Sequence, residues 1–418
     1  MRVECAPVAP RPSPRTRKSS LTKDARVLFG LVLFLVSFGI VMIYSATSAQ
    51  AIVSGGDQFG IVSRQVLYAG LGMALLWAFT HMETTALARL ARPAMAVAVV
   101  LLIALHVAPP TIAPTIGGAT RWIVLGGFQL QPSEVAKLAL IMWIASMVAR
   151  DPRITRSADG LKPIALVTAL LAVLIVTEPD LGTASIVVAI AFAMVFVGGA
   201  PIKVLSAAAG VCVALAGLMI AVSPYQQSRI VSFLNPWKDQ YGGAFQAAQA
   251  QIALGSGGVF GRGLGNGIEK YNYLPEAHTD MIGAIIGEEL GLIGLAIVIM
   301  CFVAIGVLGL RIARTSTTAH QRILAVGATT MVCLQGAINI AQVIGAFPIT
   351  GVPLPFVSYG GTNLLVSLMA IGILINISKQ GAHATRRGAR PGTQSGDRSG
   401  RNRGTRQTGP RDRRRIAS

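Results

Sequence analysis

Charged residues are scarce in this 418-residue chain: Asp, Glu, Lys and Arg make up only 13%, against 53% apolar residues. Long apolar runs recur from end to end. That balance excludes a water-soluble domain and describes a polytopic membrane protein. Cysteine is scarce too. Cys5, Cys212, Cys301 and Cys333 are scattered, the last three in apolar segments, with no CxxC or His-paired spacing. This excludes a disulfide frame and a zinc site, and the four read as small hydrophobes. The Gly-rich run from Gly255 to Gly267 lacks the Gly-Lys-Ser/Thr ending and the preceding strand of a phosphate loop, which rules out a nucleotide site. A loop packed closely on itself or on a substrate headgroup is what remains. The net charge of +19 lies largely in two polar tails, so the core is close to balanced.

What is present is a series of ten apolar segments, beginning with Val27 to Tyr44. The others fall near 63–80, 93–107, 134–149, 163–177, 181–199, 204–222, 281–310, 322–346 and 361–378. Several are shorter than the roughly 20 residues of an upright span, and Pro179 with Gly182 predicts a break within 163–199. The first run exceeds a signal-peptide core of about 7 to 15 residues, so a retained helix is expected despite Ala49-Gln50-Ala51 beyond it. The fold class expected is thus an all-α polytopic membrane protein of ten transmembrane helices. Residues 1–26 and 379–418 form disordered basic tails around a membrane domain of 27–378. Such tails suit acidic lipid surfaces and orientation, with no nucleic-acid role. Arg89, Arg92, Arg150, Arg153, Arg156, Lys162, Lys203, Arg311, Arg314 and Arg322 all fall on the same side as both tails, so both termini are expected in the cytoplasm. A large extracytoplasmic loop, 223–280, then joins helices 7 and 8. Within it Ala244 to Leu254 fits a short helix ended by Gly255.

The stretch YNYLPEAHTDMIGAIIGEELG, Tyr271 to Gly291, joins a polar, Pro-bearing loop to an apolar helix. Helical spacing would put Asp280, Ala284 and Glu288 on one face, with Glu288 about 12 Å along the axis from Asp280. An acid at that depth faces a wet cavity, is paired, or is protonated. Asp280, at the mouth beside His278 and Thr279, is the candidate for chemistry. Glu288 and Glu289 read either as functional acids or as paired packing residues. Three further outward motifs stand out. Gly117-Gly118-Ala119-Thr120-Arg121-Trp122 leads to Gln131-Pro132-Ser133-Glu134, with Lys137 sharing a face with Glu134 at i, i+3. That pair either lines a polar cavity or is structural, and Arg121 either meets an anionic headgroup or snorkels. Glu178-Pro179-Asp180-Leu181-Gly182 sets two acids around a helix break, able to hold a cation or, through Asp180, to cap a helix. Phe347 to Gly361, with three prolines, bars a regular helix and lines or shapes a cavity.

Together, GGATRWI with QPSEVAK, EPDLGT, the LNPW to GEELG run and PLPFVSYGG closely resemble the SEDS family (shape, elongation, division and sporulation), the FtsW and RodA type of peptidoglycan polymerase. The resemblance spans roughly residues 26–379 and departs from the family pattern at Met281, Gly283 and Thr362-Asn363. It implies a ten-helix glycosyltransferase of the cytoplasmic (inner) membrane, multi-pass, that polymerises lipid II at the outer face beside a class B penicillin-binding protein and other division or elongation proteins. The Asp of the family's HTD motif falls on Asp280 as the proposed catalytic residue, its polar cavity pair on Glu134 and Lys137, and the arginine of its GGxRW-like motif on Arg121. Ala277, Gly287 and Glu178 lean towards the division branch, with work at the septum, over a RodA-like role in elongation.

On that footing Asp280 is expected to act as general base on an acceptor 4-hydroxyl. Arg121, Lys137, Arg229 and Arg262 are candidates for meeting the leaving diphosphate, with His278 and Glu288 near the cavity. A divalent cation, Mg or Mn, held by carboxylates such as Glu178 and Asp180, is part of the expectation; an organic cofactor is not. The alternatives are a carrier (flippase) for a lipid-linked precursor and a non-catalytic division scaffold.

Overall fold

The computed structural model describes residues 22–54, 58–115, 118–126, 128–240, 242–271 and 273–388. The two tails expected at 1–26 and 379–418 lie mostly outside these residues. Among the described residues, ten apolar helices fall at the ten expected segments: α1 Lys23–Ser54, α2 Gln58–His81, α3 Thr84–Val107, α4 Pro132–Arg150, α5 Ala158–Val176, α6 Leu181–Val197, α7 Ile202–Val222, α10 Ile282–Thr315, α11 Ala319–Val343 and α12 Gly361–Gly388. Nine of these described helices are long and apolar enough to cross a membrane, and α6 is a shorter apolar helix. The break between α5 and α6 falls where Pro179 and Gly182 predict it. Asp180 caps α6 by accepting from the Thr183 amide at 3.0 Å.

The elements between the spans are less legible in the sequence. β1 (Ile123–Leu125) and β2 (Phe128–Leu130) form an antiparallel hairpin, α8 covers Pro224–Leu234, and α9 covers Phe245–Gly257. The hairpin and α8 were not expected. α9 runs past the expected stop at Gly255 because the left-handed residue that ends it is Gly258 (φ 56°). α4, α11 and α12 are largely buried and form the centre of the bundle. α7 has no buried residue and packs on α8 and α6 alone among its closer neighbours.

α10 is broken at Gly291, whose φ of 67° and ψ of −165° require glycine. A break frees carbonyls on one side and amides on the other, and these need partners away from water. The Gly-rich loop supplies them. Arg262 and Gly263 amides donate to the carbonyls of Glu288 (3.0 Å) and Glu289 (2.9 Å), while Leu292 and Ile293 amides donate to those of Gly258 (3.0 Å) and Val259 (3.3 Å). The loop that resembles a phosphate cradle in sequence is therefore a plug for a broken helix.

Candidate active site

Asp280 sits in the turn before α10. The helix starts at Ile282 with Met281 as its N-cap, so the expected helical face of Asp280, Ala284 and Glu288 does not form. The turn is closed by Thr279 and Met281 amides donating to the Glu276 carbonyl at 3.1 and 3.2 Å. Its main-chain carbonyl at Asp280 accepts from Asn339 Nδ2 at 2.8 Å and Gln342 Nε2 at 3.4 Å. The same two amides hold the Val352 carbonyl at 2.8 and 3.2 Å, and Gln342 Oε1 accepts from Thr350. A short ladder of buried amides on α11 thus ties the Asp280 turn to the proline-rich loop. His278 joins the same seam: its carbonyl accepts from the Tyr359 amide at 2.9 Å, and burial lowers its pKa.

The Asp280 side chain is 7% exposed. Burial, then the nearby charge of Glu276, pushes its pKa up to about 7, against the pull of its own backbone hydrogen bond, Thr279 and Arg229. The Thr279 hydroxyl lies 2.7 Å from Glu276 Oε2 and 3.3 Å from Asp280 Oδ1. Glu276, which holds a strained φ of 55°, is thus a second carboxylate at the mouth that sequence reasoning missed. Its signal was available in LPEAHTD, three residues after Tyr273 and four before Asp280.

Two guanidinium groups flank this acid. Arg121 donates from Nη2 to the Pro179 carbonyl (2.5 Å) and from Nε to that of Glu178 (3.4 Å), with Asp180 Oδ2 3.9 Å from Nε. Gly351, at φ +74°, stands between: a Cβ there would lie 3.2 Å from Arg121 Nη1 and 3.9 Å from Asp280 Oδ2. Arg229, on α8, donates to Tyr225 Oη at 2.6 Å and to the Ile349 carbonyl, and stacks 4.8 Å from the Tyr225 ring centroid. Among the described residues each keeps N–H donors to spare. Beside them opens an apolar groove of about 920 Å³ between α5, α6, α7 and α8, with Arg121, Pro179 and Arg229 at its polar end.

The remaining candidates lie elsewhere. Lys137 is sealed between α4, α11 and α12, donating to Glu134 Oε1 at 2.8 Å and Gln335 Oε1 at 2.7 Å. Gln335 passes the link on to Asn363 Oδ1 at 2.9 Å and the Pro353 carbonyl at 3.4 Å. The pair therefore underpins the proline-rich loop and presents no open ammonium to a diphosphate. Glu288 is 0% exposed and turned away from Asp280. It accepts from the Ile268 amide at 2.7 Å and the Glu269 amide at 3.4 Å, with Arg262 Nη1 4.0 Å away. Its neighbour Glu289 pairs with buried Lys270 at 2.7 Å and accepts from Ser45 Oγ and the Gly265 amide. Glu288, Glu289 and Arg262 thus hold the Gly-rich loop. Lys270 and Ser45 carried no local signal.

The acids at 178 and 180 differ in what they have left to offer a cation. Asp180 spends one oxygen on its cap and turns the other towards Arg121. Burial and then Asp180 push Glu178 up to about 9, against the pull of Arg121, and both its carboxyl oxygens lack partners among the described residues. Among those residues no group of three or more His, Cys, Asp and Glu side chains is placed to hold a metal ion.

Comparison with known proteins identifies relatives of this chain. A family model described as "Cell cycle protein" (FtsW, RodA and SpoVE) matches residues 25–383. The chain is 39% identical to "Probable peptidoglycan glycosyltransferase FtsW" of Trichlorobacter lovleyi over 84% of this chain and 92% of that one. It is 36% identical to "Stage V sporulation protein E" of Bacillus subtilis over 86% and 98%. Among solved structures, one described as "Structural coordination of polymerization and crosslinking by a peptidoglycan synthase complex" superposes with a TM-score of 0.71 at 26% identity, covering 85% of this chain and 98% of that one. The rod shape determining protein RodA of Thermus thermophilus does so at 0.61 and 27%, covering 85% and 96%.

Proposed function

The chain belongs to the FtsW, RodA and SpoVE family of cell cycle proteins, and from that premise we propose how its site works. It is a multi-pass membrane protein and a peptidoglycan glycosyltransferase. Its substrate is lipid II, and polymerisation takes place at the outer membrane face, at the division septum. A class B penicillin-binding protein supplies the crosslinking activity. The observation that carries the reading is Asp280: a buried carboxylate poised near neutrality, flanked by Arg121 and Arg229 at the head of an apolar groove.

Asp280 takes the proton of the acceptor sugar's 4-hydroxyl as that oxygen attacks the anomeric carbon of the donor. The bond from that carbon to the lipid diphosphate breaks, and the diphosphate leaves with the electron pair. In-line attack converts an α-linked donor to a β-linked product. General-base assistance accounts for roughly 10² to 10⁴ of the rate. The developing negative charge on the leaving group calls for fixed positive charge, which Arg121 and Arg229 provide. The polyprenyl tail suits the groove between α5, α6, α7 and α8. A divalent cation enters this reading only as a companion of the diphosphate, whose oxygens would be its main ligands.

The test is glycan-strand formation from purified lipid II, wild type beside Asp280→Ala, with a partner whose transpeptidase is inactivated. Polymer from wild type alone supports the assignment. Polymer from both proteins removes Asp280 from the chemistry, and polymer from neither, with folded protein, returns weight to a carrier or scaffold.

A further inference from the structure

A second, smaller cavity of about 200 Å³ adjoins the apolar groove and shares Arg229 with it. One face of α8 lines it at helical spacing, Tyr225, Ser228, Arg229 and Ser232. Gln246 and Gln251 of α9 face them, and Gln342, Phe347 and Ile349 close the end towards the Asp280 turn. Arg229, Tyr225, Phe347 and Ile349 border both spaces.

The chemistry of the lining differs from that of the groove. It carries amides, hydroxyls and aromatic rings, with one guanidinium and no carboxylate. Its polar groups keep unused capacity. Ser228 and Ser232 donate to the carbonyls of Tyr225 (2.8 Å) and Gly243 (3.1 Å), which leaves their oxygen lone pairs free. Gln246 uses one N–H, towards the Pro275 carbonyl at 3.3 Å. The side-chain amide of half-buried Gln251 has no hydrogen-bond partner among the described residues. Rings that cover the C–H faces of a pyranose, with amides and hydroxyls around its edge, suit an uncharged, N-acetylated sugar and suit neither a lipid tail nor a nucleotide.

We propose that this cavity is the subsite for the saccharide of the lipid-linked donor, with Arg229 marking the boundary between sugar and tail. The inference rests on the polymerase reading above and adds the place of the donor sugar. With the tail in the groove and the diphosphate at Arg229, the first pyranose enters the pocket and its anomeric carbon lies at the boundary nearest Asp280. The reaction is the one already described.

The test is direct binding of two radiolabelled probes to the purified full chain: a tail-free, peptide-free N-acetylglucosamine–N-acetylmuramic acid tetrasaccharide whose lactyl carboxyls are capped as neutral amides, and undecaprenyl diphosphate without sugar. Gln251→Trp, which fills the pocket, is expected to weaken tetrasaccharide binding by about tenfold or more, and Gln251→Ala by about threefold, with undecaprenyl diphosphate binding unchanged in both. A tetrasaccharide that does not bind wild type, or binds both variants as tightly, overturns the proposal. If Gln251→Trp loses both probes through misfolding, Gln251→Ala decides: weakened sugar binding alone supports the pocket, and unchanged binding overturns it. Polymerisation of lipid II by wild type is scored separately. Its absence beside intact, Gln251-dependent sugar binding would sink the polymerase reading and leave the subsite standing.

Discussion

Replacing Asp280 by Asn removes the base while keeping the shape of the neutral acid. The carboxyl is held at about 7, up from 3.8, so the native protein binds this proton more tightly than the unfolded chain does. The stability that goes with the protonated group is complete below about pH 4 and is lost as the pH rises to about 7. That interval of roughly 3 units amounts to about 4 kcal/mol, at about 1.4 kcal/mol per unit. It is an upper bound, because any water that reaches the site lowers it. Asp280→Asn escapes this loss. Its stability margin over wild type should therefore widen between about pH 4 and 7 and stay level above, read by denaturation of the purified protein at stepped pH. Polymerisation by wild type should run the other way, rising with the ionised fraction to half its maximum near pH 7. The Asn variant should be slower by about 10² to 10⁴ above pH 7 and should lack this pH dependence. A variant that keeps more than about a tenth of the wild-type rate would refute the base assignment. A margin that stays constant across this range would refute the buried acid.

Three further outcomes are expected. Lys270→Met leaves Glu289 charged and buried, at a cost of about 3–5 kcal/mol, and the double variant Lys270→Met/Glu289→Gln should recover most of it. A double variant that melts no higher than the single one would show that the two charges are not coupled. Gly351→Ala puts a side chain at φ +74° and a Cβ between Arg121 and Asp280. This should cost roughly 1–2 kcal/mol in a melt and reduce kcat further than that loss explains; unaltered kinetics would remove the gap as a working part of the site. Chelation of divalent ions should leave the melting temperature of the substrate-free protein unchanged while slowing polymerisation. A destabilised substrate-free protein would instead reveal a resident ion that the described side chains do not suggest.

The ten apolar helices, the break at Pro179 and the irregular segment before Gly361 were legible in the sequence, because hydrophobic run length and proline placement act locally. Asp280 was legible as a candidate for the same reason: an acid at the foot of an apolar helix is costly wherever the chain folds. What those acids do was decided by packing. Glu289 meets Lys270 and Ser45, 19 and 244 residues away, Lys137 meets Gln335, 198 away, and Arg121 meets the turn at Glu178, 57 away. No periodicity encodes such meetings. The spacing of Asp280 and Glu288 pointed to a shared face, but a helix starting at Ile282 sent one acid to the mouth and the other to a loop that fills a break at Gly291. Even the pKa of Asp280 is tertiary, since it comes from burial and from Glu276 brought beside it by the turn. Sequence thus placed the charges along the chain, and only the assembled bundle, which removes water and selects partners, determined which are paired and which remain free to react.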